Sequence, residues 1–119
     1  LHIAGVDDLC YGHPDLNKVV SALPKEGSAI LLSHEPDFAD VSAQAGCFDL
    51  QISGHSHGGQ VVFPFVGPLY LPRGGRKYYG GLYQVGTMLQ YTNRGVGTVA
   101  PFFRVNCRPE ITVFTLKAG

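Results

Sequence analysis

The sequence predicts an α/β chain: a parallel sheet with crossover helices in the first half, mainly antiparallel β in the second. Three observations carry this. Leu16, Val19, Val20 and Leu23 recur at i, i+3, i+4 and i+7, the spacing of one buried helical face. Ala29 to Leu32 is a continuous apolar run, as expected of a strand covered on both sides. After Gly54 helical periodicity does not return, and Gly and Pro become dense from Gly58 to Gly81.

The elements follow in order. Leu1 to Val6 reads as a short apolar strand running into the turn Asp7-Asp8. Pro14-Asp15 opens a helix that Pro24 and Gly27 stop. The strand Ala29 to Leu32 leads to a second helix from Pro36-Asp37, with Phe38, Val41 and Ala45 on one side and Gly46 just past its end. Phe48, Leu50 and Ile52 alternate with Asp49, Gln51 and Ser53, a strand with one polar face. Strand, helix, strand, helix, strand at this spacing means parallel strands joined by right-handed crossovers. Beyond Gly54, strands are expected at Gln60 to Phe63, Tyr83 to Thr87, Leu89 to Thr92 and Ile111 to Leu116. Residues 1–119 are read as a single unit, because neither half alone buries a core.

Composition narrows the function. Lys plus Arg is 9 and Asp plus Glu is 9, a formal charge of zero. That balance argues against a general nucleic-acid or anionic-membrane binder, whose affinity comes from excess cationic side chains. Charged residues make up 15% and hydrophobic residues 45%, which is not the signature of disorder. Cys10, Cys47 and Cys107 form no CxxC pair and are expected to be small buried thiols. No apolar stretch reaches the roughly 18 residues of a membrane helix. The chain opens without Met, in what reads as the middle of a strand, and is expected to be a piece of a longer protein.

Two segments carry chemistry. His34 lies just past a buried strand, where open α/β sheets leave a ligand crevice. His55 and His57, in Gly54-His55-Ser56-His57-Gly58-Gly59, end the next strand at the same rim. Three imidazoles at one edge point to a metal such as Zn, Fe or Mn. The flanking glycines give the loop freedom to aim His55 and His57 at two different ions. His2 and His13, each alone, are read as structural. Asp7, Asp8, Asp37 and Asp49 are the candidate carboxylates by type. Asp7-Asp8 reads as a turn and Asp37 as a helix-start residue. The sequence holds no DxH, GDxxD or GNH run.

These segments resemble a known family. SHEPD (Ser33 to Asp37) and GHSHGGQ (Gly54 to Gln60) are similar to the last two metal-binding motifs of calcineurin-like metallophosphoesterases. The GVDD opening, NRGVGT (Asn93 to Thr98) and NCRPEIT (Asn106 to Thr112) resemble a bacterial branch with membrane-associated members. The resemblance implies part of a β-sandwich flanked by helices. It implies hydrolysis of a phosphomonoester, phosphodiester or pyrophosphate at two divalent metals drawn from Zn, Mn and Fe. His34 and His55 would hold one metal and His57 the other. It also implies that residues 1–119 are the carboxyl-terminal portion of the domain, the remaining ligand motifs lying upstream. An isolated chain is then expected to be inactive and to hold at most one metal, weakly.

Further expectations follow. Arg94 is a candidate phosphate contact, weighed against a plain surface role. The apolar run Val61 to Leu71 either packs on its own domain or meets a membrane through Phe65, Leu69 and Tyr70, with Arg73, Arg76 and Lys77 behind it. The membrane reading brings a lipid-linked phosphoester with it. Sheet edges left open by a missing half predict self-association. The alternative to an enzyme is a non-catalytic metal-binding or interaction module that keeps the fold.

Overall fold

The computed structural model describes residues 1–117. Strand β1 (His2–Gly5), helix α1 (Leu16–Ala22), β2 (Ala29–Leu32), helix α2 (Ala39–Ser42) and β3 (Leu50–Ser53) alternate as expected. Asp15 caps α1 by accepting the Lys18 N–H at 3.0 Å. Single 3₁₀ turns over Pro36–Phe38 and Ala43–Ala45 flank α2, and Gly46 ends it at φ +67°. The second half adds β4 (Val62–Phe63), β5 (Gly67–Pro68), β6 (Gly81–Val85) and β7 (Met88–Thr92).

The main sheet runs β1-β2-β3-β7-β6. Its first four strands are parallel, and β6 pairs antiparallel with β7 through a two-residue turn. The fold is therefore α/β. A small antiparallel ribbon, β4 with β5, stands apart from it. The antiparallel share of the second half is smaller than expected. Ile111 to Leu116 forms no strand: no backbone ladder joins it to a neighbour, and side chains anchor it instead. Tyr91 Oη bonds Glu110 and, at 2.8 Å, Thr112 Oγ1, and the Phe114 ring stacks edge-on against Tyr91.

One face of the sheet carries the core. Ala29, Leu31, Val85 and Met88 pack there with Phe38, Ala39, Phe48 and Tyr78, and α1 adds Leu16, Val19, Val20 and Leu23. The polar stripe of β3 also lies on this buried side. Gln51 is wholly buried: it accepts from Ser42 Oγ at 2.5 Å and donates to the Pro36 carbonyl at 3.3 Å and to Ser53 Oγ at 3.1 Å. Next to it on β7, Gln90 donates to Thr92 Oγ1 at 3.0 Å. A buried amide is tolerated when its bonds are made, as at Gln51; Gln90 Oε1 is buried without a partner. On the opposite face Ile3, Leu32, Leu82 and Leu89 remain exposed. Of the three thiols expected to be buried, Cys107 is; Cys10 is part-exposed and Cys47 exposed, since the turns that carry them lie at the surface. Among the described residues no helix is long and apolar enough to cross a membrane.

Candidate metal centre

Parallel pairing puts the ends of β2 and β3 side by side: Leu32 pairs with Ile52 in register. The segments that follow, His34 and His55–His57, therefore leave the sheet at one rim. The Gly54 N–H donates to the His34 carbonyl at 3.2 Å and ties the two loops together. His34 Nε2 then lies 3.0 Å from His55 Nδ1. The far nitrogen of His55, Nε2, is 2.9 Å from the Arg73 carbonyl. His57 joins them across a cavity of about 300 Å³, whose other walls include Val61, Leu69, Tyr70 and Pro101.

The loop that carries the imidazoles is held in unusual backbone geometry. His55, His57 and Gln60 have φ of +66°, +52° and +50°, a region that side chains rarely adopt. Such conformations persist only where the surroundings impose them, and they concentrate at functional sites. Here the surroundings are side-chain clamps. Arg104 donates to the carbonyls of His57 at 3.0 Å, Arg94 at 2.8 Å and Gly97 at 2.7 Å. Gln60 donates to Val99 and Pro101 and accepts the Val99 N–H, fixing the pocket wall. The Cys107 thiol donates to the His57 carbonyl at 3.2 Å. At Gly58 a Cβ would come within 2.8 Å of Arg94 Cγ, so glycine is required on steric grounds as well as for φ.

The donor set fits a divalent cation. Two imidazole nitrogens bound to one ion at about 2.0–2.1 Å sit about 3.0–3.4 Å apart, which the His34–His55 separation matches. A ligating imidazole normally donates its other N–H to a carbonyl or carboxylate, as His55 does to Arg73. His57 Nδ1 is buried with no hydrogen-bond partner. Burial, with Arg104 nearby, holds the His57 imidazole below its ordinary pKa, favouring the neutral form that ligates.

The four candidate aspartates each accept backbone N–H groups. The Asp8 carboxylate accepts the N–H groups of Cys10 and Tyr11, and the Tyr11 bond in particular holds it below the usual range. Asp7 takes the Asp8 and His13 N–H groups. Asp37 pins the loop through the N–H groups of Arg76, Lys77 and Tyr78. Asp49 takes the Ala29 N–H. Arg94 lies 3.2 Å from Glu110 through Nε, outside the cavity lining. His2, read as structural, bonds the Glu26 carbonyl at 2.9 Å.

The curated relatives now bear on this geometry. The chain is 45% identical to the uncharacterized metallophosphoesterase YkuE of Bacillus subtilis, over 99% of this chain and 41% of that protein. It is 40% identical to the phosphodiesterase YaeI of Escherichia coli over 73% of this chain and 32% of that protein. A transmembrane protein with metallophosphoesterase domain from Bos taurus matches at 35% over 98% of this chain. The chain belongs to the calcineurin-like metallophosphoesterase family. It spans about two fifths of YkuE and less of the other two. No family model matches it, and no solved structure does. Membership in a metallophosphoesterase family brings with it the use of divalent metal.

Sequence reasoning missed three residues of this metallophosphoesterase rim. Glu35 is completely buried beside His34, and Arg104 and Gln60 hold the loop. Glu35 had a signal, since a carboxylate adjoining a strand-end histidine is a ligand type. Arg104 had none: nothing in its surroundings in sequence sets it apart from any other loop arginine.

Proposed function

We propose that this chain is the carboxyl-terminal part of a metal-dependent phosphoesterase, with His34 and His55 holding one divalent ion and His57 a second. The observation that carries the reading is the convergence of the three imidazoles on one cavity, two of their nitrogens 3.0 Å apart. When bound, the two cations generate a nucleophile from water near neutral pH and offset the charge on the phosphoryl oxygens. The chain's own part is orientation. The Arg73 carbonyl accepts a hydrogen bond from the His55 Nε2–H, which leaves the Nδ1 lone pair facing His34. Arg104 and Gln60 keep the loop from relaxing out of its strained geometry. Arg94 serves as a phosphate contact once its guanidinium turns from Glu110.

The shortage of carboxylates at the rim supports the rest of this reading. Asp7, Asp8, Asp37 and Asp49 are all engaged by backbone N–H groups and Glu35 is a single carboxylate beside His34, so further bridging ligands come from a longer chain. Alone, residues 1–119 hold at most one ion and are inactive. The apolar sheet face with Ile3, Leu32 and Leu82 is covered by further chain in the parent and drives self-association without it. Leu69 and Tyr70 wall the cavity, and Phe65 and Val66 stand fully exposed at the tip of the β4–β5 ribbon. These features favour a phosphoester with a lipid portion, reached by a protein that rests on a membrane surface.

The test is hydrolysis of bis-p-nitrophenyl phosphate by the intact parent with Mn²⁺, Zn²⁺ or Fe²⁺. Metal-dependent turnover is expected, and His57→Ala is expected to lower it at least about 100-fold with the fold retained. No turnover with any of the three metals, or full activity in His57→Ala, would overturn the assignment.

A further inference from the structure

Cys10, Glu35 and His55 bring a thiol sulfur, a carboxylate oxygen and an imidazole nitrogen within 4.8 Å of one another. Three separate segments supply them: the turn after β1, the loop after β2 and the loop after β3. The Arg73 carbonyl closes the group, 2.9 Å from His55 Nε2 and 3.6 Å from the Cys10 sulfur.

Glu35 gives the cluster its meaning. Its side chain is wholly buried. Oε2 accepts the Leu9 N–H at 3.0 Å, but Oε1 has no partner. A buried carboxylate oxygen left bare is costly, so native proteins pair it or give it a cation. The Gly74 backbone packs closely on it: a Cβ there would approach Glu35 Cγ to 2.8 Å.

We propose that Cys10, Glu35 and His55, with the Arg73 carbonyl, form a further cation site, alternative to the one at His34 and His55 and selective for borderline-soft ions such as Zn²⁺ and Cd²⁺. One thiolate, one imidazole and two oxygens make a four-donor set of the type zinc accepts, while Mn²⁺ and Mg²⁺ favour oxygen. On binding, the Cys10 S–H bond breaks and its proton leaves to solvent as the sulfur–metal bond forms; His55 ligates through Nε2 as the neutral tautomer with its proton on Nδ1, so its hydrogen bond to the Arg73 carbonyl is given up. The thiolate and the Glu35 carboxylate then balance the two positive charges. His55 also faces His34, so a soft ion held here competes for the ring with an ion held by the histidines. That competition rests on the phosphoesterase reading; the binding itself does not.

The experiment is a Cd²⁺ titration of the protein, read by the ultraviolet thiolate-to-cadmium charge-transfer band, without substrate. One equivalent of band is expected in the wild type. It should vanish in Cys10→Ser, persist in Cys47→Ser and Cys107→Ser, and persist in His34→Ala. Glu35→Gln should weaken Cd²⁺ binding at least 10-fold, and circular dichroism separates that from misfolding. A band that survives Cys10→Ser, or one lost with His34, overturns the proposal. If the parent hydrolyses no phosphoester yet the band behaves as stated, the functional reading falls and this site stands.

Discussion

The two halves of the molecule are held together by different means. From β1 to β3 ladder and helix bonds hold most of the backbone and apolar side chains do the packing, while carboxylates close the turn after β1 and the start of α1. From Gly54 to Leu116 regular structure is sparse outside the β6–β7 hairpin, and polar side chains close the loops. Arg104 reaches the carbonyls of residues 57, 94, 95 and 97, Gln60 those of 99 and 101, and Asp37 the N–H groups of 76, 77 and 78. The first kind of region builds a rigid rim. The second builds a strained, shaped loop on that rim, where imidazoles can be aimed.

This difference is open to attack, beginning where the effect is largest. Leu31 is fully buried at the centre of the core cluster. Leu31→Ala is expected to cost about 2–5 kcal/mol, through lost burial and the cavity left behind. Denaturant titration should show the whole transition moving to lower midpoint. Loss confined to the loops would mean that the sheet half is not the foundation assigned to it.

Arg104→Met keeps the apolar stem and removes the donors. About 1.5–3 kcal/mol is expected, the usual range for bonds made by a charged group. The sharper consequence lies elsewhere: amide exchange should rise at residues 57–60 and 94–101 while β1, β2 and β3 stay protected. Uniform exchange across both halves would erase the distinction.

The smallest effect is a pH dependence. Burial pushes the Asp40 carboxyl up, but bonds from Lys77 at 2.7 Å and Tyr78 Oη at 2.8 Å outweigh it and hold the group below its ordinary 3.8. A carboxyl depressed in the fold stabilises above the unfolded value, and that contribution fades as pH falls through the folded one. Lys77 and Asp40 are about half exposed, so screening leaves well under about 1 kcal/mol. On acidification from about pH 5 to about pH 3 the wild type should lose slightly more melting temperature than Asp40→Asn. Parallel curves would show that the pair contributes nothing.

The same division explains what the sequence made legible. Periodicity reports burial, so the strand at Ala29–Leu32, the Asp15 cap and the Gly46 stop were all readable from residue type and spacing. The alternation of β3 was readable too, but not its side: the polar stripe of Gln51 and Ser53 turned inward because Ser42 and the Pro36 carbonyl await it there. Ile111 to Leu116 is rich in β-branched and aromatic residues as a strand should be, yet a strand exists only with a neighbour, and a single sequence does not name one. At the site, the histidines announced themselves by type and glycine context. The pairing of Cys10 with Glu35, 25 residues apart and joined only by the fold, left no local trace.

The central claim is that the imidazoles gathered at the rim are a metal centre. Mn²⁺ binding to the intact parent, followed by electron paramagnetic resonance in the wild type and in His34→Ala, tests it most directly. Mn²⁺ avoids the thiol, and His34 is exposed, so its loss leaves the core alone. The account predicts an affinity loss beyond the roughly 10–100-fold that removing an outer partner of a metal ligand costs, with an unchanged melting transition. Equal Mn²⁺ affinity in the two proteins would contradict it.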